Sequence, residues 1–296
     1  MIEVTNLRKA YGSLVAVDGV SFTVADGETF GLLGPNGAGK TTIMHMITGA
    51  LAPDSGGINI NGQQEPGRSD VRYHLGLAPQ SLAVYESLTA EENLAFFGKL
   101  YGLSGAKLRE RVDFTLGLSG LADRRRDLVR TYSGGMKRRL NLACALVHDP
   151  SVVFLDEPTV GVDPQSRNHL FDTIEKLAGE GHTIIYTTHY MEEAQRLCDR
   201  VAIMDHGKIL ALDTIPCLVA KHGGEAWIEA ELAELPPSTE GLPAQPDGNK
   251  LRYQTERPFE EATRLASLGL KLTSFRIDQP DLEKVFLNLT GRSLRD

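Results

Sequence analysis

The chain has 296 residues, of which 41% are hydrophobic and 24% charged, with a net charge of −8. Those proportions exclude a disordered or fibrous protein and allow one large domain plus a small one. No apolar run approaches the ~20 residues that span a bilayer, and an acidic balance argues against nucleic acid as the partner, since phosphate contacts want a basic surface. The start, Met1-Ile2-Glu3-Val4, has neither basic n-region nor h-region, so no secretory signal is expected. Cys144, Cys198 and Cys217 show no C-x-x-C or zinc spacing; Cys144 sits in an apolar stretch and reads as a core residue in a reducing compartment.

Ile2–Val4, Val15–Val24 and Thr29–Leu33 read as strands, with Asp26-Gly27 a tight turn between the last two. Directly after comes Gly34-Pro35-Asn36-Gly37-Ala38-Gly39-Lys40-Thr41, which fits the phosphate-cradling template G-x-x-x-x-G-K-[ST] at every required position. The glycines permit turns that aim successive N–H groups into one nest. Lys40 brings a point charge to the outer phosphates, and the Thr41 hydroxyl suits Mg²⁺. A helix beginning at Thr41 adds partial positive charge beneath the anion. An ordinary glycine-rich turn would not need this strand–loop–helix order, so the chain is expected to bind a nucleoside triphosphate.

Further on, Gly56–Ile60 and Leu75–Ala78 read as strands. Ala90–Leu100 and Lys107–Leu116 have helical periodicity, Thr89 and Glu91-Glu92 marking a helix start. Ser133-Gly134-Gly135 opens another helix, Ser133 as N-cap. Lys137-Arg138-Arg139 then crowds positive charge where a helix dipole prefers acids, which suggests a bound anion; the plainer alternative is a solvated basic face. Val152-Val153-Phe154-Leu155 is a run expected of a doubly covered parallel strand, and it delivers Asp156-Glu157 at its tip. Asp156 suits Mg²⁺ through a bound water, and Glu157 suits an attacking water. A helix at 164–179, a strand Thr183–Thr187, a helix Met191–Cys198 and a strand Val201–Met204 alternate as βαβ units should. From Gly223 the text shifts to a small α+β unit: strands Ala226–Leu232, Leu251–Tyr253 and Leu272–Ile277, helices Phe259–Leu268 and Asp281–Thr290, and a polar loop at 234–249.

In this order the motifs resemble the nucleotide-binding subunits of ATP-binding cassette (ABC) transporters, over about residues 1–220. The segment Tyr132-Ser133-Gly134-Gly135-Met136 is similar to the family signature, although Tyr132 and Met136 depart from its commonest form and fit drug- and lipid-exporting branches. The end, from Pro280 through Leu287 and Thr290-Gly291-Arg292, is similar to daunorubicin-resistance-type exporter ATPases. The resemblance implies an α/β fold, a P-loop NTPase ABC cassette with a RecA-like core, an antiparallel β subdomain and a helical subdomain at about 88–148. Domains are expected at 1–222 and 223–296, the second a small α+β accessory domain.

It also implies roles. ATP would lie on Tyr11 (stacked on adenine), Gly34, Pro35, Asn36, Gly37, Ala38, Gly39, Lys40, Thr41, Thr42 and Gln80, with Ser133, Gly134 and Gly135 supplied by a second copy. Mg²⁺ would take Thr41, Gln80 and Asp156. Glu157, His189 and Lys40 would be catalytic, and Gly161-Val162-Asp163 would communicate between subunits. Two cassettes would meet head to tail, a homodimer being favoured, on the cytoplasmic face of the membrane. A separate permease would dock near Gln80, where 81–87 places apolar side chains. The apolar face Leu282, Val285, Phe286 and Leu289 would stabilise the dimer. A soluble cassette ATPase serving ribosomes, DNA or a regulatory role is the rival; a tandem cassette or a long coiled coil would mark the first two, and neither is present.

Overall fold

β1 (Ile2–Tyr11) and β2 (Leu14–Val24) pair antiparallel, and β3 (Thr29–Leu33) runs into the phosphate loop and α1 (Lys40–Ile47). β4 (Ser55–Ile60), α2 (Ser69–Arg72) and β5 (Leu75–Ala78) follow, then α3 (Ala90–Leu100), α4 (Gly105–Leu118) and α5 (Gly134–Leu146). β6 (Val152–Asp156), α6 (Pro164–Gly179), β7 (Thr183–Thr188), α7 (Met191–Leu197), β8 (Arg200–Asp205) and β9 (Lys208–Thr214) come next. The chain continues with α8 (Ile215–His222), β10 (Ala226–Leu232), β11 (Lys250–Thr255), α9 (Pro258–Ser267), β12 (Leu272–Asp278) and α10 (Leu282–Thr290). This computed structural model describes residues 1–234 and 242–291.

The central sheet has the order β5-β6-β7-β3-β8-β9, parallel except for β9, which runs antiparallel on β8. Every residue of β3, β6 and β7 is buried, as strands covered on both faces require. Phe154 and Ile185 face a core shared with Ile43, Met44 and Ile47 of α1 and with the second sheet. Val153, Leu155, Ile184 and Tyr186 face the other way, onto Leu142 and Leu146 of α5 and Leu170, Phe171, Ile174 and Leu177 of α6. Each such side chain contributes roughly 1.5–3 kcal/mol of burial. The second sheet, β2-β1-β4, is antiparallel. The Asp26-Gly27 turn therefore does not close a hairpin: β2 stays in this sheet and β3 leaves for the parallel one, where its residues are apolar enough for two covered faces.

α3, α4 and α5 form the helical insertion between β5 and β6, around Leu94, Leu108, Leu116, Leu140 and Cys144. Thr89 starts α3 with a full capping box, its side chain accepting from Glu92 N–H while the Glu92 carboxylate accepts from Thr89 N–H. Burial pushes the Cys144 thiol far up, so it stays a neutral core group.

The chain divides into two compact units after Thr214. The division falls ahead of Gly223, because α8 packs against α10. The second unit has the antiparallel sheet β11-β10-β12, with Ile228, Ala230, Leu232 and Leu251 packed under Leu265 of α9. Leu282, Val285 and Phe286 on α10 are fully buried within the chain and Leu289 partly so, so the first three are not free to serve a dimer as expected. Part of the expected polar loop, 235–241, lies outside the described residues, as does Arg292.

Candidate active site

The loop after β3 wraps the N-terminus of α1. Gly39 caps that helix at φ 102, and a Cβ there would collide with the Ala16 carbonyl, so only glycine fits. Lys40 is buried; its Nζ donates to the Gly34 carbonyl at 2.7 Å and the Pro35 carbonyl at 3.1 Å. It also lies 3.1 Å from Glu157 Oε1.

Glu157 stands just beyond β6 and gathers the site. Gln80 Nε2 donates to its Oε2 at 3.0 Å, and His189 Nδ1 lies 3.4 Å from its Oε1. Its backbone is left-handed, φ 45, a conformation that costs a non-glycine residue and is held by surrounding structure. The holder is Thr187, whose hydroxyl oxygen accepts from Glu157 N–H at 2.9 Å and whose proton goes to Asp156 Oδ1 at 2.6 Å. The Thr41 hydroxyl reaches the same Asp156 oxygen at 3.3 Å. One strand end thus presents two carboxylates in different company: Asp156 beside hydroxyls, Glu157 beside a cation, an amide and an imidazole.

A cleft of about 510 Å³ opens over these groups, lined by Tyr11, Ala16, Asn36, Gly37, Gly39, Lys40, Thr41, Thr42, Gln80, Glu157 and His206, with Leu14 and Val15. Tyr11 is half exposed at its rim. Ser133, Gly134 and Gly135 are not brought to this cleft. Ser133 caps α5, its Oγ accepting from Met136 N–H at 3.2 Å. A Cβ on Gly135 would collide with Ser166 Oγ, so glycine allows α5 and α6 to meet at their N-termini. There Asp163 caps α6, and the Ser166 N–H holds its carboxyl below the usual carboxylate range.

The basic run after Met136 has partners within the chain. Lys137 Nζ pairs with Glu86 at 2.6 Å, and Arg139 donates to the Ser119 and Gly120 carbonyls. Arg138, buried, donates to the Gln80 carbonyl at 2.5 Å, the Pro79 carbonyl at 3.4 Å and the Val160 carbonyl at 3.3 Å. Guanidinium planes donate to carbonyls on neighbouring loops, and those bonds fix where the two charges stand. Tyr132 is buried too, its hydroxyl donating to the Arg124 carbonyl at 2.7 Å.

Segment 79–85 is pinned by two buried asparagines. Asn141 accepts from Ala83 N–H and donates to the Pro79 carbonyl. Asn93 accepts from Tyr85 N–H and donates to its carbonyl. Leu82 and Tyr85 remain exposed, Tyr85 edge-on to the exposed Phe96, while Val84 packs into the helical insertion. Thr187 and the asparagines escape a sequence reading because nothing local marks them, and Arg138 is marked only by its basic run; the partners of all four are set by the fold.

The ABC transporter family model matches residues 17–160, from β2 past Glu157. The linearmycin resistance ATP-binding protein LnrL of Bacillus subtilis (strain 168) is 41% identical, the alignment covering all of both chains. The daunorubicin/doxorubicin resistance ATP-binding protein DrrA of Streptomyces peucetius is 38% identical over all of this chain and 94% of its own. Among solved structures, the ATP-binding subunit of an ABC transporter superposes with a TM-score of 0.69 at 32% identity, covering 75% of this chain and 93% of that one. With the phosphate loop, paired strand-end carboxylates and cleft in place, the chain belongs to the ABC transporter family as an ATP-binding subunit and an ATPase.

Proposed function

We propose that this subunit powers export through a separate membrane permease, two copies closing head to tail over two ATP molecules. The observation that carries the chemistry is the convergence of Lys40, Gln80 and His189 on the one Glu157 carboxylate. Lys40 and the loop amides hold the phosphates, and Tyr11 at the cleft rim meets the adenine. Glu157 draws a proton from a water as that water attacks the γ-phosphorus. The bond to the bridging oxygen breaks, ADP leaves with its electron pair, and His189 stabilises the transferring phosphoryl group. Ser133, Gly134 and Gly135, remote from their own cleft, serve the partner's nucleotide.

Mg²⁺ fits the residues present. Thr41 and Asp156 offer adjacent oxygens, Gln80 keeps its amide carbonyl, and hard cations prefer such donors. No cluster of three or more His, Cys, Asp or Glu occurs among the described residues, in keeping with an ion held largely by phosphate and water. When bound, the ion neutralises charge on the phosphate oxygens.

No helix among the described residues is long and apolar enough to cross a membrane, so the path for cargo belongs to the permease. The exposed Leu82, Tyr85 and Phe96 beside the pinned segment suit its docking, at the cytoplasmic face. Export, rather than import, is supported by the linearmycin and daunorubicin/doxorubicin resistance relatives. The test is Glu157→Gln. It is expected to slow phosphate release by ~10²-fold or more and to give a dimer with Mg-ATP by light scattering; normal turnover would sink the assignment.

A further inference from the structure

Glu193 is a carboxylate that the chemistry above does not use. It sits in the first turn of α7, only 3% exposed, where a charged group survives only if its oxygens are satisfied. Three hydroxyls do so. Thr159 donates to Oε1 at 2.7 Å, and Tyr186 and Thr188 donate to Oε2 at 2.9 and 2.8 Å. The partners come from different places: Thr159 from the loop after β6, Tyr186 and Thr188 from the end of β7.

Two of these partners flank the reacting groups. Thr159 follows Glu157 by one intervening proline, whose fixed φ makes a short stiff link. Thr188 immediately precedes His189, and its oxygen also accepts from Tyr190 N–H at 2.9 Å. The residues on both sides of His189 are therefore tied to the same hydroxyl. Glu157 is held in a left-handed backbone conformation, which persists only while the surrounding structure fixes it.

We propose that Glu193 is a positioning residue for hydrolysis: through Thr159 and Thr188 it fixes the separation of the Glu157 and His189 loops. It is not among the residues that line the cleft. The idea rests on the assignment of Glu157 and His189 to the chemistry. Because a misplacement of about 1 Å can cost ~10²-fold in rate, its removal should appear in turnover and not in nucleotide affinity.

The experiment measures steady-state phosphate release and equilibrium ATP binding on the full chain. Glu193→Ala should lower kcat by about tenfold or more while leaving ATP affinity within about threefold. Glu193→Gln should recover part of the loss, since an amide can accept from one hydroxyl and donate to another. Thr159→Val and Thr188→Val, each near-isosteric, should lower kcat severalfold alone and add little on top of Glu193→Ala, as members of one network do. Turnover of Glu193→Ala within about twofold of the parent, or rate and affinity falling together, would overturn the proposal. If Glu193→Ala does not fold, normal kcat in both threonine variants overturns it instead. Glu157→Gln runs alongside: undiminished turnover there would refute the site assignment itself, whereas a slow Glu157→Gln with a normal Glu193→Ala would refute only the role of Glu193.

Discussion

Lys40 has three N–H donors and three oxygens within reach: two loop carbonyls and Glu157. The carbonyls aim the ammonium, and on the proposed function the carboxylate is the partner that a γ-phosphate would displace. Lys40→Ala removes the point charge from a nearly dry site, where charge-assisted bonds are strongest. It is expected to weaken ATP binding by at least about tenfold, read by titration with a fluorescent ATP analogue; unchanged affinity would remove Lys40 from phosphate recognition. At this scale the sequence announces the loop that lines the cleft, because glycine, lysine and threonine at fixed spacing have few other reasons to coincide. It is silent about what holds them. Thr187 reaches Asp156 across 31 residues, and Glu193 reaches Thr159 across 34; only the parallel strands bring them together.

Elements with chemical punctuation are legible. α3 and α6 lie where Thr89 and Asp163-Pro164 start them. β1 is longer than the expected Ile2–Val4 because register shifts and a left-handed Asn6 break the period of two that betrays a strand. β9 and α8 are elements that the sequence reading does not name. The junction of α5 and β5 makes a pH prediction. His148, just past α5, shares its Nε2 with the Leu75 carbonyl at 3.1 Å and stacks on Tyr101 with ring centroids 3.5 Å apart. Its Nδ1 is buried without a partner, and burial lowers the ring to about 4. The unfolded chain therefore takes up this proton first. The associated stability is complete above the ordinary imidazole value near 6.5 and is lost as pH falls through about 4. It amounts to about 3 kcal/mol. His148→Phe keeps the stack and should flatten the pH dependence of urea unfolding between pH 6.5 and 4; a parallel shift at all pH values would count against the assignment.

For the whole molecule, the decisive question is whether Lys40 and Ser133 of one site belong to one chain or two. The two residues do not share a cleft, so a head-to-tail pair predicts complementation. Lys40→Ala and Ser133→Arg should each be inactive alone. A mixed dimer contains one doubly damaged site and one intact site, and random pairing makes half of the dimers mixed, so mixing equal amounts should restore phosphate release toward about a quarter of the parent's per-site rate. Sites complete within one chain would stay dead on mixing. The head-to-tail arrangement is an expectation of the family resemblance, whereas the use of α10 could not be read from the sequence at all. Its apolar face looks the same in sequence whether α8 or another chain covers it.

The guanidinium of Arg138 has a mechanical consequence. It is fastened at once to the backbone before the exposed segment 81–85, to the loop behind the carboxylates and, through its own helix, to Ser133. Three moving parts with one common rivet cannot be displaced independently: a tug on the segment arrives at the other two without delay and with little slack. On the proposed function, stiffness of that kind would let a push from the permease be felt at Glu157.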